Sequence, residues 1–570
     1  MYRFEQVTRL TTPAVLAAVA AAHPGRPFII AEDGDLTYAM MARSAARLAR
    51  QFRALGLRTG DRVGILLPNG SRWCATLLGA HTAGLVVVPL NTWYRGNELL
   101  SVARRAGLRT IITQEEIFGF ESGRQAAAIG EALAEEASGG EHYLGSFLWP
   151  RDASGPEGLP AALSPSEHAD SDEIITPNGP AGSPGITDEL GVLLSSPAAE
   201  ADDALLLFTS GSSAQPKAVR LTQGGLVATA HAIGERQGIR EGDRFWFASP
   251  LFFVFGCSNA LPNALTHAAT LCLQERFEAA RALEYIERHR CTVYYAVAPF
   301  TRALAATPGL ASRDISSLRT GTANATAEDL RLAIEVLGVT EVCNAYGMTE
   351  GHGHTTITSC TDPASARIGS QGRVLPTQEL RIVADGAVVG AEEPGEIQIR
   401  GLISPGYLDS PGGGPPAGTG ASSGFGDDGW FRTGDIGWLD ADGNLHYVGR
   451  SHEMMKVKGI NIAPAEVETL LVQHERVDEA FVFGLATPDG DQSVGCVLVS
   501  TVSPDAREEL IADVAEWMRG HAAAYKVPTT IRVITAAELP MTGTGKVSKR
   551  LLQEDAQARM ATTATIGADS

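Results

Sequence analysis

The sequence predicts an α/β fold: a large N-terminal domain of mixed or parallel sheets wrapped by helices, then a smaller α+β domain. Short runs of Val, Ile and Leu alternate with helical segments through most of the chain. That alternation is the grammar of parallel strands buried on both faces. After about residue 450 the grammar changes to a lysine-rich turn, a helix and a few strands, about the size of one small domain. Finally, 570 residues with 44% apolar and 20% charged content can bury sizeable cores. A wholly disordered, collagen-like or coiled-coil chain is excluded on composition.

The elements follow in order. Residues 13–23 read as a first surface helix; Glu5 lies among the arginines before it, and a strand-like PGRPFII follows, so a secretory leader is the weaker reading. Residues 44–56 form an amphipathic helix with Leu48, Phe52 and Leu55 on one stripe and Gly56 as its stop. Residues 62–68 are a buried strand, 71–84 a helix and 85–90 a strand. The rhythm repeats over 270–350: strand 270–274, helix 277–289, strand 292–298, further helices, then strand 340–347. Beyond 450 come a helix from 464, strands at 479–486 and 495–502, a helix over 505–521 and a strand at 530–535.

Two segments break the pattern. Residues 150–200, rich in Pro, Gly, Ser and acids, predict a mobile connector, because such a segment cannot bury enough apolar surface to offset its ordering entropy. Residues 410–428 predict a flexible insertion. The expected organisation is a core domain over 1–450, a hinge at 451–453 and a small domain over 454–570. Seven scattered cysteines without a C-x-x-C pair favour reduced thiols and a cytoplasmic setting. No apolar run reaches the ~20 residues of a membrane span. A net charge of −20 argues against nucleic acid as a partner. Monomer and homodimer both stay open.

Five segments carry chemistry. In LLLFTSGSSAQPK, an apolar strand runs into Thr209, Ser210, Gly211, Ser212 and Ser213, then Lys217. Small residues let a backbone approach phosphate, hydroxyls donate to its oxygens and a lysine adds charge. The pattern is not that of a P-loop NTPase. In NAYGMTEG, Glu350 beside Thr349 suits magnesium shared with substrate phosphates. In GWFRTGDIGWLD, Asp435 sits in a Thr-Gly-Asp turn, placed to accept from ribose hydroxyls. The fourth is the basic, glycine-broken GRSHEMMKVKG from 449, and the fifth PMTGTGKVSKR, with Lys546 on a Gly-flanked loop. Taken singly, each also reads as an ordinary loop, strand end or turn. His352 and His354 read as pocket wall rather than metal ligands.

In this order and spacing the segments resemble the core motifs of the adenylate-forming superfamily: acyl- and aryl-CoA synthetases, luciferases and peptide-synthetase adenylation domains. The class I acyl-CoA ligases are the nearest type. Early stretches at 36–38, 60–63, 67–69 and 88–91 extend the likeness over nearly the whole chain. The resemblance implies that the loop from Thr209 to Lys217 holds the ATP phosphates. Thr349 and Glu350 would meet the α-phosphate and Mg2+, and Tyr346 would lie against adenine. Asp435 would grip the ribose with Arg450 beside it, and Lys546 would bridge the carboxylate and α-phosphate. The small domain would then rotate about Glu453, carrying Lys546 away and bringing Lys456 and Gly459, at the acceptor tunnel, to the acyl adenylate. The acyl pocket would be lined by the 226–233 helix, Phe253 to Asn259, Gly321, Thr322, Ala323 and Gly351, His352 to His354.

The chain departs from the superfamily pattern at Ala214 and Ala218, where glycine is usual. Gln223 and Phe253 stand where histidine is usual, and His452 stands for lysine. The nucleotide residues are kept while those around the acyl site and hinge change. The expected activity is ATP-dependent conversion of a small carboxylic acid, aromatic or medium apolar, to an acyl-AMP, then transfer to coenzyme A. The alternatives keep adenylation and change the acceptor to a carrier-protein thiol, an amine or nitrite. A non-catalytic nucleotide-binding protein is the weaker reading, given Lys546, Glu350 and Asp435.

Overall fold

The computed structural model describes residues 3–136, 144–149, 164–165, 186–209, 217–324, 326–408, 424–451, 453–457, 460–487, 492–541 and 547–568. Two seven-stranded sheets form the framework of the N-terminal part. Their strands are β1 (Pro27–Ala31), β2 (Leu36–Thr37), β3 (Arg62–Ile65), β4 (Val86–Pro89), β5 (Leu108–Gln114), β6 (Ser146–Trp149), β7 (Ser164–Pro165), β8 (Asp203–Thr209), β9 (Lys217–Thr222), β10 (Arg244–Phe247), β11 (Thr270–Leu273), β12 (Val293–Val297), β13 (Thr320–Asn324) and β14 (Glu341–Cys343). One sheet runs β14-β13-β12-β10-β11-β1-β2 and the other β7-β6-β5-β3-β4-β8-β9. In each the inner pairs are parallel, while β1–β2, β6–β7 and β8–β9 are antiparallel. This mixed parallel arrangement is the expected fold class.

Local chemistry sets the helix ends. Helix Tyr38–Ala54 starts at Thr37, whose side chain accepts from Met40 N, a cap that satisfies one of the helix's orphan donors. Helix Ser71–Ala83 begins at Gly70, which has no cap of its own; the N–H groups of Ser71 and Arg72 donate instead to the Asp33 carboxylate at 2.7 and 3.1 Å. Helix Gln223–Gln237 is capped by Thr222, which accepts from Gly225 N.

The first helix, Thr12–Ala22, is not a surface helix: Thr12 to Ala17, Val19 and Ala20 are buried. Its composition is apolar all round, and such a helix belongs inside. The expected connector over 150–200 is ordered at its end. Helix Thr187–Leu194 packs into the same core through Leu193, and Arg9 donates to Ser196 O. Residues 150–163 and 166–185 lie outside the described residues. Of the expected insertion over 410–428, residues 410–423 also lie outside, whereas Phe425 bridges to Phe431.

After β14 the chain leaves its sheet. Asn344 Oδ1 accepts from Ala345 N, its Nδ2 donates to Ser370 O at 2.9 Å, and its backbone N–H donates to Thr358 Oγ1 at 3.0 Å. The chain then forms β15 (Ala345–Met348), which pairs antiparallel with β16 (Gly353–Ile357), and that with β17 (Arg373–Val374).

A second compact unit comprises Arg381–Gln398, Arg432–Asp442 and His446–Ser570, the remainder forming the first. It therefore takes in segments before 450 as well as the expected small domain. A five-stranded sheet runs in the order Ala387–Val388, Gln378–Ala384, Gly395–Gly401, Phe431–Leu439, Leu445–Arg450. Further on, Glu479–Ala486 pairs antiparallel with Gln492–Val499, which pairs parallel with Thr530–Ile534. Helices Pro464–Leu471 and Arg507–His521 pack on this sheet in a core that includes Val467, Leu471, Val514 and Met518. Among the described residues no helix is long and apolar enough to cross a membrane.

Two buried histidines fix the charge state of the first unit's interior. His81 Nε2 donates to Ala204 O at 3.0 Å, so Nδ1 accepts from the Thr12 hydroxyl at 2.8 Å. His354, on β16, has neither ring nitrogen hydrogen-bonded. Burial pushes both down to about 4 from an ordinary 6.5. The unfolded chain therefore takes up protons near pH 6.5 that the fold refuses until about 4, so stability is complete above pH 6.5 and declines as pH falls toward 4. Each histidine contributes roughly 3 kcal/mol to that loss. The calorimetric unfolding temperature should fall between pH 7 and pH 5; a constant value over that range would contradict neutral burial.

Candidate active site

The segment expected to hold phosphate joins the antiparallel strands β8 and β9. Thr209 at the end of β8 lies opposite Lys217 at the start of β9. Ser210, Gly211, Ser212 and Ser213 fall between them, outside the described residues, as does Ala214. β9 is held on its other edge by the segment around Tyr407: Arg220 N donates to Gly406 O, and Leu408 N donates to Ala218 O. This places the Lys217 ammonium 5.1 Å from the centre of the Tyr407 ring.

Thr349 and Glu350 occupy a single 3-10 turn, Thr349–Gly351, between β15 and β16. Ser404 N donates to the Glu350 carbonyl at 2.7 Å, and the Tyr407 hydroxyl donates to Glu350 Oε1 at 2.8 Å. Burial and the adjacent carboxylate push the Tyr407 phenol up, so it stays protonated as a donor. Lys217, Tyr407 and Glu350 thus meet at the mouth of the 209–217 hairpin. Tyr407 escaped the sequence reading. A tyrosine after Ser-Pro-Gly carries no local mark of a partner 57 residues upstream.

The pocket residues of the first unit are partly gathered. Tyr346 is buried on β15, paired with Thr356. His352 is fully buried in a left-handed conformation (φ 60°), and its Nε2 accepts from Thr222 N at 3.1 Å. Its Nδ1 must therefore carry the proton, and burial holds its pKa at about 4. Helix Gln223–Gln237 passes so close that a Cβ at Gly225 would lie 2.0 Å from His352 Nε2, which leaves glycine alone at that position. Gly351 is buried, and its carbonyl accepts from Gln378 Nε2. Gly321, Thr322 and Ala323 lie on β13 against β12, with Thr322 opposite Tyr295. Phe253 is half-buried in an aromatic group, 4.5 Å from Phe252 and 5.7 Å from Trp93.

In the second unit, Asp435 lies within strand Phe431–Leu439 and not in a turn. Gly434 at φ 70° kinks the strand there. The Asp435 carboxylate is almost wholly buried, with Arg450 Nε 2.7 Å from Oδ1. Burial and the Asp435 charge push nearby Tyr447 up to about 12. Lys456 is exposed on the short strand Met455–Val457, and its N–H donates to Gln492 Oε1. Glu453 lies 3.9 Å from Lys549, which also meets Glu468 at 2.6 Å. Gly459, Lys546 and His452 lie outside the described residues.

Residues 16–408 match the AMP-binding enzyme family, and residues 466–546 match the AMP-binding enzyme C-terminal domain. The chain belongs to the AMP-binding enzyme family. It is an AMP-forming ligase. A sulfoacetate–CoA ligase from Cupriavidus necator is 30% identical over 547 residues, covering 95% of this chain and 96% of its own. An anthranilate CoA ligase in complex with anthranoyl-AMP superposes with a TM-score of 0.78 at 24% identity, covering 97% of this chain and 98% of the other. The o-succinylbenzoate coenzyme A synthetase from Bacillus subtilis, in complex with AMP, gives 0.72 at 25% identity, covering 95% and 98%.

Within this AMP-binding enzyme, Tyr407→Phe should keep the fold and slow ATP–pyrophosphate exchange roughly ten- to a hundredfold, the usual worth of a hydrogen bond to a charged group. Exchange at the wild-type rate would show that Tyr407 does not position Glu350.

Proposed function

We propose that the chain activates a small carboxylic acid with ATP to an acyl adenylate and passes the acyl group to coenzyme A. The observation that carries this reading is the meeting of Lys217, Tyr407 and Glu350 at the mouth of the 209–217 hairpin. A lysine and a loop of hydroxyl and glycine residues suit the leaving phosphates. Glu350, with Oε1 taken by Tyr407, has Oε2 for a hard cation such as Mg2+. Magnesium would supply charge neutralisation on the phosphates; the protein's own part is to align the acid's carboxylate with the α-phosphate. In this reading Lys546 neutralises charge as the acid attacks, and Asp435 with Arg450 grips the ribose. The small domain then turns about Glu453 so that Lys456 and Gly459 serve the thiol. The sulfoacetate and o-succinylbenzoate ligases, whose chains match this one almost end to end, support coenzyme A as acceptor.

The acid is proposed to be aromatic with polar substituents. Phe253 supplies an apolar wall. Thr229 Oγ1, Asn259 Oδ1, Thr322 Oγ1 and both His354 nitrogens are buried without hydrogen bonds on the elements expected to line the acyl pocket. Asn259 lies against Gly353, and the His354 ring is 6.2 Å from Phe255, which stacks on Tyr295 opposite Thr322. Buried polar groups are costly unless paired, and a hydroxyl or amino group on the acid would pair them. Hydroxy- and aminobenzoates should therefore drive pyrophosphate exchange at least tenfold better than benzoate or straight-chain acids, the price of leaving one such group unpaired being about 1–3 kcal/mol. Equal rates, or a preference for aliphatic acids, would sink this substrate class.

The half-reactions should separate. Lys546→Ala should slow adenylation by about a hundredfold or more. Gly459→Leu should keep exchange while losing thioester formation from preformed adenylate. Equal loss in both steps would assign Gly459 to folding or nucleotide binding. Intact transfer to an amine or nitrite, with none to coenzyme A, would replace the acceptor.

A further inference from the structure

Three side chains converge between helix Gln223–Gln237 and the end of helix Leu261–Thr266. His231 and Glu235 stand one turn apart on the first helix, and His267 caps the second. One ligand atom from each lies within 4.8 Å of the other two. His267 is buried, Glu235 exposed and His231 between them, so the group has a closed floor and an open mouth. A Cβ at residue 234 would lie 2.1 Å from His267 Cε1; glycine there makes the room in which the imidazole sits.

The tautomers leave a gap for a cation. His267 Nδ1 donates to Asn263 O at 2.9 Å, the kind of outer bond that orients a metal-binding imidazole. In the neutral ring, Nε2 then presents a lone pair to Glu235 Oε1, 3.5 Å away. Neither His267 Nε2 nor His231 Nδ1, both buried, has a hydrogen-bond partner. Phe4 stacks on the His231 ring at 3.7 Å and closes one side.

We propose that His231, Glu235 and His267 form a site for a divalent ion of the zinc class, tying the helix that backs His352 to the helix after the Phe253 segment. Two imidazoles and a carboxylate suit zinc, with a water in the fourth position. With metal–ligand bonds of about 2.0–2.1 Å, tetrahedral ligand atoms sit roughly 3.3 Å apart. Closing from 4.8 Å requires movement of exposed Glu235 and a turn of the two imidazoles, whose rings stack with centres 4.9 Å apart.

The full chain, stripped with chelator, desalted and exposed to ZnCl2, should retain one zinc per chain by elemental mass spectrometry. Cobalt substitution should give the visible absorption of a low-coordinate imidazole–carboxylate site. Glu235→Gln should weaken zinc binding about 10- to 100-fold, and His231→Asn should abolish the cobalt spectrum. Glu235→Gln should not change ATP–pyrophosphate exchange in metal-stripped protein supplied with Mg2+. Zinc retention no greater than that of a His231→Asn/Glu235→Gln double variant would overturn the proposal. So would histidine NMR showing His267 protonated against Glu235 at neutral pH and unmoved by zinc.

Discussion

The hydrogen bond from Tyr407 to Glu350 holds together parts of the chain that sequence keeps far apart. Tyr407 belongs to the segment that zips onto β9, Glu350 to the turn where the chain has just left the parallel sheet. Their contact fixes a carboxylate beside the hairpin that ends in Lys217. The arrangement is stable because burial raises the phenol's pKa instead of ionising it, so the donor persists at any ordinary pH. Ser404 adds a second tie through the Glu350 backbone, leaving the carboxylate's position fixed by two independent bonds.

A similar economy governs the wall behind that turn. Thr222 uses its hydroxyl to cap helix Gln223–Gln237 and its N–H to hold His352. Helix start and pocket wall are thereby one unit, and the glycine at 225 lets them touch. Neutral histidines recur in this interior because a charged ring there would lack water and counter-charge alike. The unpaired polar atoms on the neighbouring elements are the counterpart: groups positioned by the fold with their bonding capacity unspent.

Much of this was legible in the sequence because it rests on local patterns. Continuous Val and Ile runs became parallel strands, Gly56 and Gly84 ended helices as glycine does, and Thr349–Glu350 fell at a strand end. The misreadings share a cause. Helix Thr12–Ala22 and helix Thr187–Leu194 are ordered by each other's core, which neither segment shows alone. Asp435 reads as a turn residue from Thr-Gly-Asp, yet ladder bonds extend the strand through the glycine kink. Tyr407 and the trio of His231, Glu235 and His267 depend on contacts between distant segments, and no spacing rule announces them. Ser210 to Ser213, Gly459 and Lys546 rest on the motif resemblance.

The order of strands in the first sheet carries a consequence for synthesis. β1 takes its parallel neighbour from β11, with Ile29 beside Leu271, about 240 residues later in the chain. At roughly 5–20 residues per second a ribosome needs about 12–50 s to make that partner. Throughout that interval the edge of β1 waits without its parallel neighbour, and the apolar first helix has helices Tyr38–Ala54 and Ser71–Ala83 to pack on but lacks helices Thr187–Leu194 and Leu261–Thr266. Exposed apolar helices and open strand edges invite association. The nascent chain is therefore most vulnerable early, and chaperone demand should centre on its first tenth rather than on the small domain, whose strand partners arrive within a few dozen residues of one another.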